Sequence, residues 1–158
     1  MLQNQSEYVI LNIGLVKNDC LTKNCNAMAF DYTLLVSFFE ECNIPYQIDP
    51  RGVVLFDYSG QRLYGSMKST IAFESCMRIH LVVIDEISPF DVKRYLKIIN
   101  QLNVEMHVVK FIYDEETKMI FAVADVPLDS SPELDDLIPG IVNLLVDAVR
   151  QFEIANQM

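Results

Sequence analysis

The spacing of apolar residues predicts that this chain begins its regular structure with a helix. Apolar positions recur at helical intervals after Asp31, a residue type that favours the helix N-cap, and Asn43 and Pro45 then end the segment. The members of this stripe are Leu34, Leu35, Phe38, Phe39 and Cys42. One such stripe is typical of a helix that packs a single face on a core.

Short segments rich in β-branched and aromatic residues follow this helix. Tyr46–Ile48 leads into the turn-forming residues Asp49–Gly52, and Val53–Tyr58 ends at Ser59-Gly60. We expect both segments to form strands. A third segment, Arg62–Met67, is either a weaker strand or irregular.

The most regular alternation of apolar and polar residues lies in Cys76–Ile84. Alternation with period two predicts a strand with one buried face. Arg78 and His80 fall on its more polar side. Residues 68–75 carry no pattern that assigns them to an element.

Ser88, Pro89 and Asp91 together predict the start of a second helix. Serine is a favoured N-cap, proline fits the first helical position, and an acidic residue three positions after the cap resembles a capping box. The apolar face of this helix comprises Val92, Tyr95, Leu96, Ile99 and Leu102.

The last third of the chain predicts a hairpin and a final helix. Val108–Tyr113 and Met119–Asp125 are strand-like and flank a polar turn. Ser131-Pro132-Glu133 starts a helical pattern that contains Pro139. Because an interior proline costs about 3 kcal/mol, we expect a short first turn followed by a main helix from about Pro139 to Ala155.

The predicted order is α-β-β-β-α-β-β-α, which is typical of an α+β fold with helices packed on an antiparallel sheet. The 158 residues suit a single domain spanning 1–158. Residues 27–155 form its α+β core, and residues 1–26 are a less legible N-terminal extension.

Charge and composition restrict the classes of partner. The net charge of −10, from 22 acidic and 12 basic residues, disfavours nucleic acid and anionic membrane surfaces. It suits a basic or amphipathic protein partner, or simply a solubilising surface. The chain lacks a membrane-spanning apolar run and a recognisable signal peptide, so we expect a cytoplasmic location.

Residues that could support chemistry occur without the spacing that chemistry requires. Cys42 and Cys76 lie in apolar patterns and are expected to be buried thiols, whereas Cys20 and Cys25 flank a polar loop. The cysteines form no C-x-x-C pair, and no phosphate-binding or hydrolase motif occurs. We predict no enzyme, no cofactor, no metal site and no catalytic residues.

Several charged or titratable residues still admit a second interpretation. His80 and His107 lack a neighbouring nucleophile or carboxylate in the sequence, although His80, Arg78 and a nearby carboxylate would suit an enzyme if the fold joined them in a cleft. The acidic runs are explained by turn and helix-dipole preferences. These runs are Asp85-Glu86, Asp114-Glu115-Glu116 and Asp135-Asp136.

Two strands are apolar on both faces, which indicates a sheet covered on both sides. They are Val53–Tyr58 and Met119–Val126. The second face is covered either by another subunit or a bound chain, or by the helices together with residues 1–26. If the chain dimerises through its sheet, a charge introduced at Phe56 or Ile112 should yield soluble monomer, whereas aggregation would mean that the site is in the core.

Four of the predicted segments resemble those of a known protein family. The run Asp31–Ile44, the strand Met77–Ile84, the Ser88-Pro89 helix and the hairpin ending in Phe121–Val126 resemble the YbjN family of candidate bacterial sensory-transduction regulators. That family is similar in fold to the type III secretion chaperones. The resemblance spans residues 27–152 and implies a non-enzymatic, frequently dimeric protein that binds other proteins.

These observations together favour a non-catalytic protein-binding module, chaperone-like or regulatory. We expect it to bind a partner chain and to form a homodimer, through residues that the sequence leaves unknown. The alternative is a small-molecule-binding sensor domain with an apolar pocket between sheet and helices.

Overall fold

Three helices and six strands make up the part of the chain that the structure, a computed structural model, describes: residues 33–50, 52–68, 76–128 and 132–157. The helices are α1 Thr33–Glu41, α2 Val92–Glu105 and α3 Leu134–Gln157. The strands are β1 Tyr46–Ile48, β2 Val54–Tyr58, β3 Gln61–Lys68, β4 Cys76–Ile84, β5 Val109–Asp114 and β6 Met119–Pro127.

All six strands join one antiparallel sheet in the order β1-β2-β3-β4-β6-β5. The α+β class is therefore confirmed. Four strands precede α2, one more than the expected order. The additional strand is β3, Gln61–Lys68. It pairs with β2 on one side and with β4 on the other, and these two ladders of hydrogen bonds compensate for its weak local strand pattern.

A left-handed residue ends α1 where the sequence predicts a stop. Asn43 has a φ of 54°, and the Ile44 N–H donates to the Phe39 carbonyl at 2.8 Å. This Schellman arrangement satisfies carbonyls at the helix end, and asparagine tolerates the left-handed conformation. The predicted N-cap, Asp31, lies outside the described residues.

The second helix begins later than expected. Ser88, Pro89 and Phe90 form a turn, in which the Asp91 N–H donates to the Ser88 carbonyl at 2.9 Å, and α2 starts at Val92. The prediction that Pro89 is the first helical residue is wrong. The Ser88 hydroxyl still accepts the Phe90 N–H at 3.4 Å, so the serine supports the turn rather than the helix itself.

Pro139 does not divide α3, contrary to expectation. The missing N–H removes one hydrogen bond, to the carbonyl of Asp135, which is an exposed residue that water can reach. Leu134 and Ile138 are buried on the near side of the proline. Burying each contributes about 1.5–3 kcal/mol, which offsets the roughly 3 kcal/mol cost of the proline.

The three helices pack on one face of the sheet, called here the helical face. Their buried residues share a single apolar cluster with alternate residues of the strands. At one end of this core, the rings of Phe39 in α1 and Phe56 in β2 lie 4.5 Å apart. A Cβ atom at Gly65 would lie 3.4 Å from Leu35, so the glycine allows α1 to approach β3 closely.

Candidate functional site

The opposite side of the sheet, called here the second face, carries its own small apolar cluster. Met119, Phe121 and Val123 of β6 form it with Val82 of β4, and no described helix contributes. Phe121 is nevertheless only 5% exposed. The centre of the second face is therefore buried within a single copy of the chain, apart from the half-buried Val82.

Arg78 and Asp125 form a bidentate ion pair across β4 and β6 on the second face. The hydrogen bonds that Arg78 donates to the Asp125 carboxylate raise the pKa of Arg78 above its usual value, although partial burial opposes them. Such a pair fixes the geometry of the sheet surface, because the planar guanidinium matches the carboxylate at two points.

His80 lies beside this ion pair but packs against aromatic rings. Its ring stacks on Tyr64 with centroids 5.1 Å apart and meets the edge of Phe121 at 5.6 Å. The structure therefore joins Arg78 to a carboxylate, whereas His80 contributes to an aromatic row along the second face. This arrangement favours a structural role for the histidine.

An open depression of about 350 Å³ lies on the second face near the β2–β3 turn. The Arg62 guanidinium at its rim donates to Asp57 at 3.1 and 3.2 Å. The residues that line the depression are Gln61, Arg62, Tyr64, Leu81, Val82, Asp85 and Met119.

The remaining histidine and cysteine residues considered in the sequence do not form a site within the described residues. His107 is exposed at the junction of α2 and β5, and Cys76 is buried as expected. Cys42 is exposed, so the expectation of a buried thiol is wrong: the residue follows the last residue of α1 and faces solvent. Cys20 and Cys25 lie outside the described residues. Within the described ranges, no three potential metal ligands cluster.

The acidic turn Asp114-Glu115-Glu116 has a local explanation. The Asp114 carboxylate accepts the Glu116 N–H at 2.8 Å and the Thr117 N–H at 3.4 Å. It thus stabilises the β5–β6 turn, as aspartate commonly does.

The outer edge of β5 is partly closed by a side chain from α2. The Asn103 side chain accepts the Phe111 N–H at 2.7 Å and donates to the Phe111 carbonyl at 2.9 Å. Lys110 bends around the same edge and donates to the Asn103 carbonyl at 2.8 Å and to the Met106 carbonyl. An incoming strand would have to displace Asn103 before it could pair along β5.

A cleft of about 440 Å³ separates α1 from the start of α3. One of its walls is a stripe of α1 at positions i, i+3, i+4 and i+7, which lie on one side of a helix. The other wall is the first turn of α3 and the residues before it. The residues lining the cleft are Leu34, Ser37, Phe38, Glu41, Pro132, Glu133, Leu134, Asp135 and Asp136.

Apolar side chains form the floor of this α1–α3 cleft and carboxylates form its rim. Phe38 and Leu134 are buried, and Leu34 is 37% exposed at the opening. The four rim carboxylates are exposed and make no ion pair within the described ranges: Glu41, Glu133, Asp135 and Asp136. The α1–α3 cleft therefore combines an apolar floor with a rim of a single charge sign.

The α1–α3 cleft is not predicted from the sequence, because its two walls are about a hundred residues apart along the chain. Leu34 was expected in the core stripe of α1, and Asp135-Asp136 were explained by the helix dipole alone. A signal was available in the sequence, since Leu34 and Phe38 share a helical stripe with Ser37 and Glu41. The partner wall could not be inferred without the fold.

Among the described helices, none combines the length and the apolar composition needed to cross a membrane.

Comparison with known proteins identifies a fold and not a family. No protein-family profile and no curated protein matches the chain. Among solved structures, the chain is similar to YbjN, a candidate transcription regulator from E. coli, with a TM-score of 0.56 over 79% of this chain and 90% of that one. The sequence identity is 8%, so the similarity shows the fold alone: a YbjN-like α+β sheet with helices on one face.

Proposed function

We propose that this protein is a non-catalytic protein-binding module, chaperone-like or regulatory, that binds a segment of a partner chain in the α1–α3 cleft. The observation that carries the proposal is the exposed Leu34 above a floor of Phe38 and Leu134, in a cleft open to solvent. Burying such apolar surface against a partner is the main driving force of protein association. The similarity to YbjN, itself a candidate regulator, agrees with this class.

The proposal also includes a homodimer. Ile112, on the second face at the outer strand β5, is 41% exposed, and Val108, immediately before β5, is 49% exposed. This peripheral surface remains accessible although the centre of the second face is buried. Because Asn103 occupies the β5 edge, the two copies would meet through side chains and not through a continuous sheet.

The function is tested by affinity capture from native lysate with three forms of the tagged protein: wild type, Leu34→Asp and Leu96→Asp. Leu34 and Leu96 are 37% and 38% exposed, and both lie on helices, so the two variants change surface hydrophobicity equally. We expect a protein enriched by wild type and by Leu96→Asp to be lost with Leu34→Asp. Equal enrichment by all three forms would rule out the cleft as the binding site.

The depression near Arg62 supports a second candidate function, a small-molecule-binding sensor domain. Its 350 Å³ volume falls in the range of small-molecule pockets, and it combines Arg62, Asp85 and Tyr64 with apolar side chains. This function predicts that a metabolite panel raises the melting temperature of wild type. A Tyr64→Ala variant, checked for its fold, should lose that response.

A further inference from the structure

We infer that the α1–α3 cleft selects a cationic amphipathic segment, in which apolar anchors alternate with Lys or Arg. The inference rests on the proposed function and names the chemistry of its partner. It follows from the combination in one cleft of an apolar floor, a size suited to a few side chains, and a rim of a single charge sign.

The rim of the α1–α3 cleft carries more negative charge than is needed to compensate the helix dipole of α3. The N-terminus of α3 carries about +0.5 elementary charge from the helix dipole, and Asp135 and Asp136 lie in its first turn. Two further carboxylates, Glu41 and Glu133, face the same cleft, and no lysine or arginine lines it within the described residues. Four negative charges therefore exceed the local positive charge, and the excess favours a cationic ligand.

The rim argues against a second copy of this chain in the cleft. Each copy carries a net charge of −10, so docking one on another at an acidic rim would bring like charges together. Residues 1–32 are also a poor electrostatic match, since Lys17 and Lys23 are outnumbered by Glu7, Asp19 and Asp31. A partner of opposite charge is the occupant that the cleft fits.

The apolar floor indicates how such a segment would dock. Leu34 and Phe38 lie one helical turn apart on α1, and Leu134 faces them from α3. An amphipathic helix could place two anchors, spaced by three or four residues, between these walls. Its flanking Lys or Arg side chains would then reach the carboxylates, while their aliphatic stems cover Leu34.

The test uses fluorescence anisotropy with three labelled synthetic peptides that share the same leucine spacing. Their polar positions are lysine, glutamine or glutamate. We expect the lysine peptide to bind about tenfold or more tightly than the glutamine peptide, and the glutamate peptide not to bind. Raising the salt from about 50 mM to about 500 mM should weaken the lysine peptide several-fold, because the rim charges are exposed.

Two triple variants separate the rim from the net charge of the molecule. Glu133→Gln/Asp135→Asn/Asp136→Asn removes three of the four rim carboxylates, and Glu115→Gln/Glu116→Gln/Glu153→Gln removes three exposed charges elsewhere, so both change the net charge from −10 to −7. We expect about tenfold weaker lysine-peptide binding in the rim variant and less than about a twofold change in the other. Circular dichroism confirms that both variants fold.

The outcomes distinguish this inference from the proposed function. If the lysine and glutamine peptides bind equally, and Leu34→Asp abolishes both, the cleft binds protein segments but does not select cations. The inference also fails if both triple variants weaken binding to the same extent, since net charge would then be the cause. If no peptide binds and capture shows no Leu34-dependent partner, both the inference and the proposed function are overturned.

Discussion

At the scale of the residue, Gly65 sets the distance between α1 and the sheet. A Cβ atom there would meet Leu35 and Phe56 at 3.4 Å, which is the close limit of ordinary packing, so the further methyl groups of a valine should crowd these side chains. We predict that Gly65→Val lowers the free energy of unfolding by about 1–3 kcal/mol, because overpacking displaces α1. Urea denaturation measures this change.

Gly140 provides the matched control. It is exposed inside α3, and a Cβ atom there would meet nothing within 4 Å. Gly140→Ala should raise the free energy of unfolding by about 0.5–1 kcal/mol through helix propensity. If Gly65→Val leaves the free energy of unfolding unchanged or raises it, as expected for Gly140→Ala, the space beside Gly65 does not limit the packing of α1.

Two bidentate arginine–aspartate pairs have the same chemistry but differ in how far their side chains are exposed to solvent. The side chains of Arg78 and Asp125 are 28% and 46% exposed, and those of Arg62 and Asp57 are 53% and 55% exposed. We predict a coupling energy of about 1 kcal/mol for the first pair and about 0.3 kcal/mol for the second, because water screens the second more strongly. Double-mutant cycles with Gln and Asn measure both.

The salt dependence of the two coupling energies provides the control. Added salt should remove most of the coupling of the Arg62 pair and leave most of that of the Arg78 pair, which is partly shielded from solvent. Equal coupling energies, with equal loss in salt, would mean that the burial of Arg78 has no energetic consequence.

At the scale of the element, Asn103 links α2 to the outer strand and closes its edge. Asn103→Ala removes both hydrogen bonds to Phe111 and exposes an N–H and a carbonyl on the edge of β5. We predict a loss of about 1–3 kcal/mol in the free energy of unfolding, with larger assemblies formed through the opened edge. Urea denaturation and sedimentation velocity measure the two effects.

Asn100, exposed on the same helix, is the matched residue for this substitution. Asn100→Ala should change stability by less than about 0.5 kcal/mol and leave the assembly state unchanged. If both variants behave alike, the edge of β5 is protected by something other than Asn103.

The elements that the sequence predicts most accurately are those determined by the local pattern of residues. Cys76–Ile84 was predicted with its exact bounds, because alternation in a central strand directly reflects its burial. The start of α2 and the continuity of α3 were mispredicted, since each depends on a balance between a local signal and packing elsewhere. At Pro139, burial of neighbouring apolar residues outweighed the local preference to break.

The candidate site is harder to predict from the sequence, because it also depends on packing between elements. The cleft brings Leu34 next to Leu134, and Asn103 reaches Phe111 across the α2–β5 junction. Neither contact leaves a periodic pattern in the sequence. The sequence predicts that β6 is apolar on both faces, and Phe121 on its second face is 5% exposed within one copy of the chain.

At the scale of the whole molecule, Phe56 and Ile112 separate the core from the proposed dimer surface. Both lie in strand-like apolar runs of the sequence, yet Phe56 is buried against Phe39 whereas Ile112 is accessible. We predict that Phe56→Asp unfolds the chain, whereas Ile112→Asp remains folded and halves the mass measured by light scattering. Leu96→Asp, on the helical layer, should keep the wild-type mass.

The proposed dimer surface and the α1–α3 cleft lie at opposite ends of the sheet. Helix α1 packs near β2 and β3, while Ile112 belongs to β5, the outer strand at the other edge. Sites this far apart without shared contacts should act independently. We therefore predict that monomeric Ile112→Asp binds the lysine peptide with wild-type affinity, and that the wild-type dimer binds two peptides. A weakened affinity in Ile112→Asp would mean that the second copy contributes to the cleft.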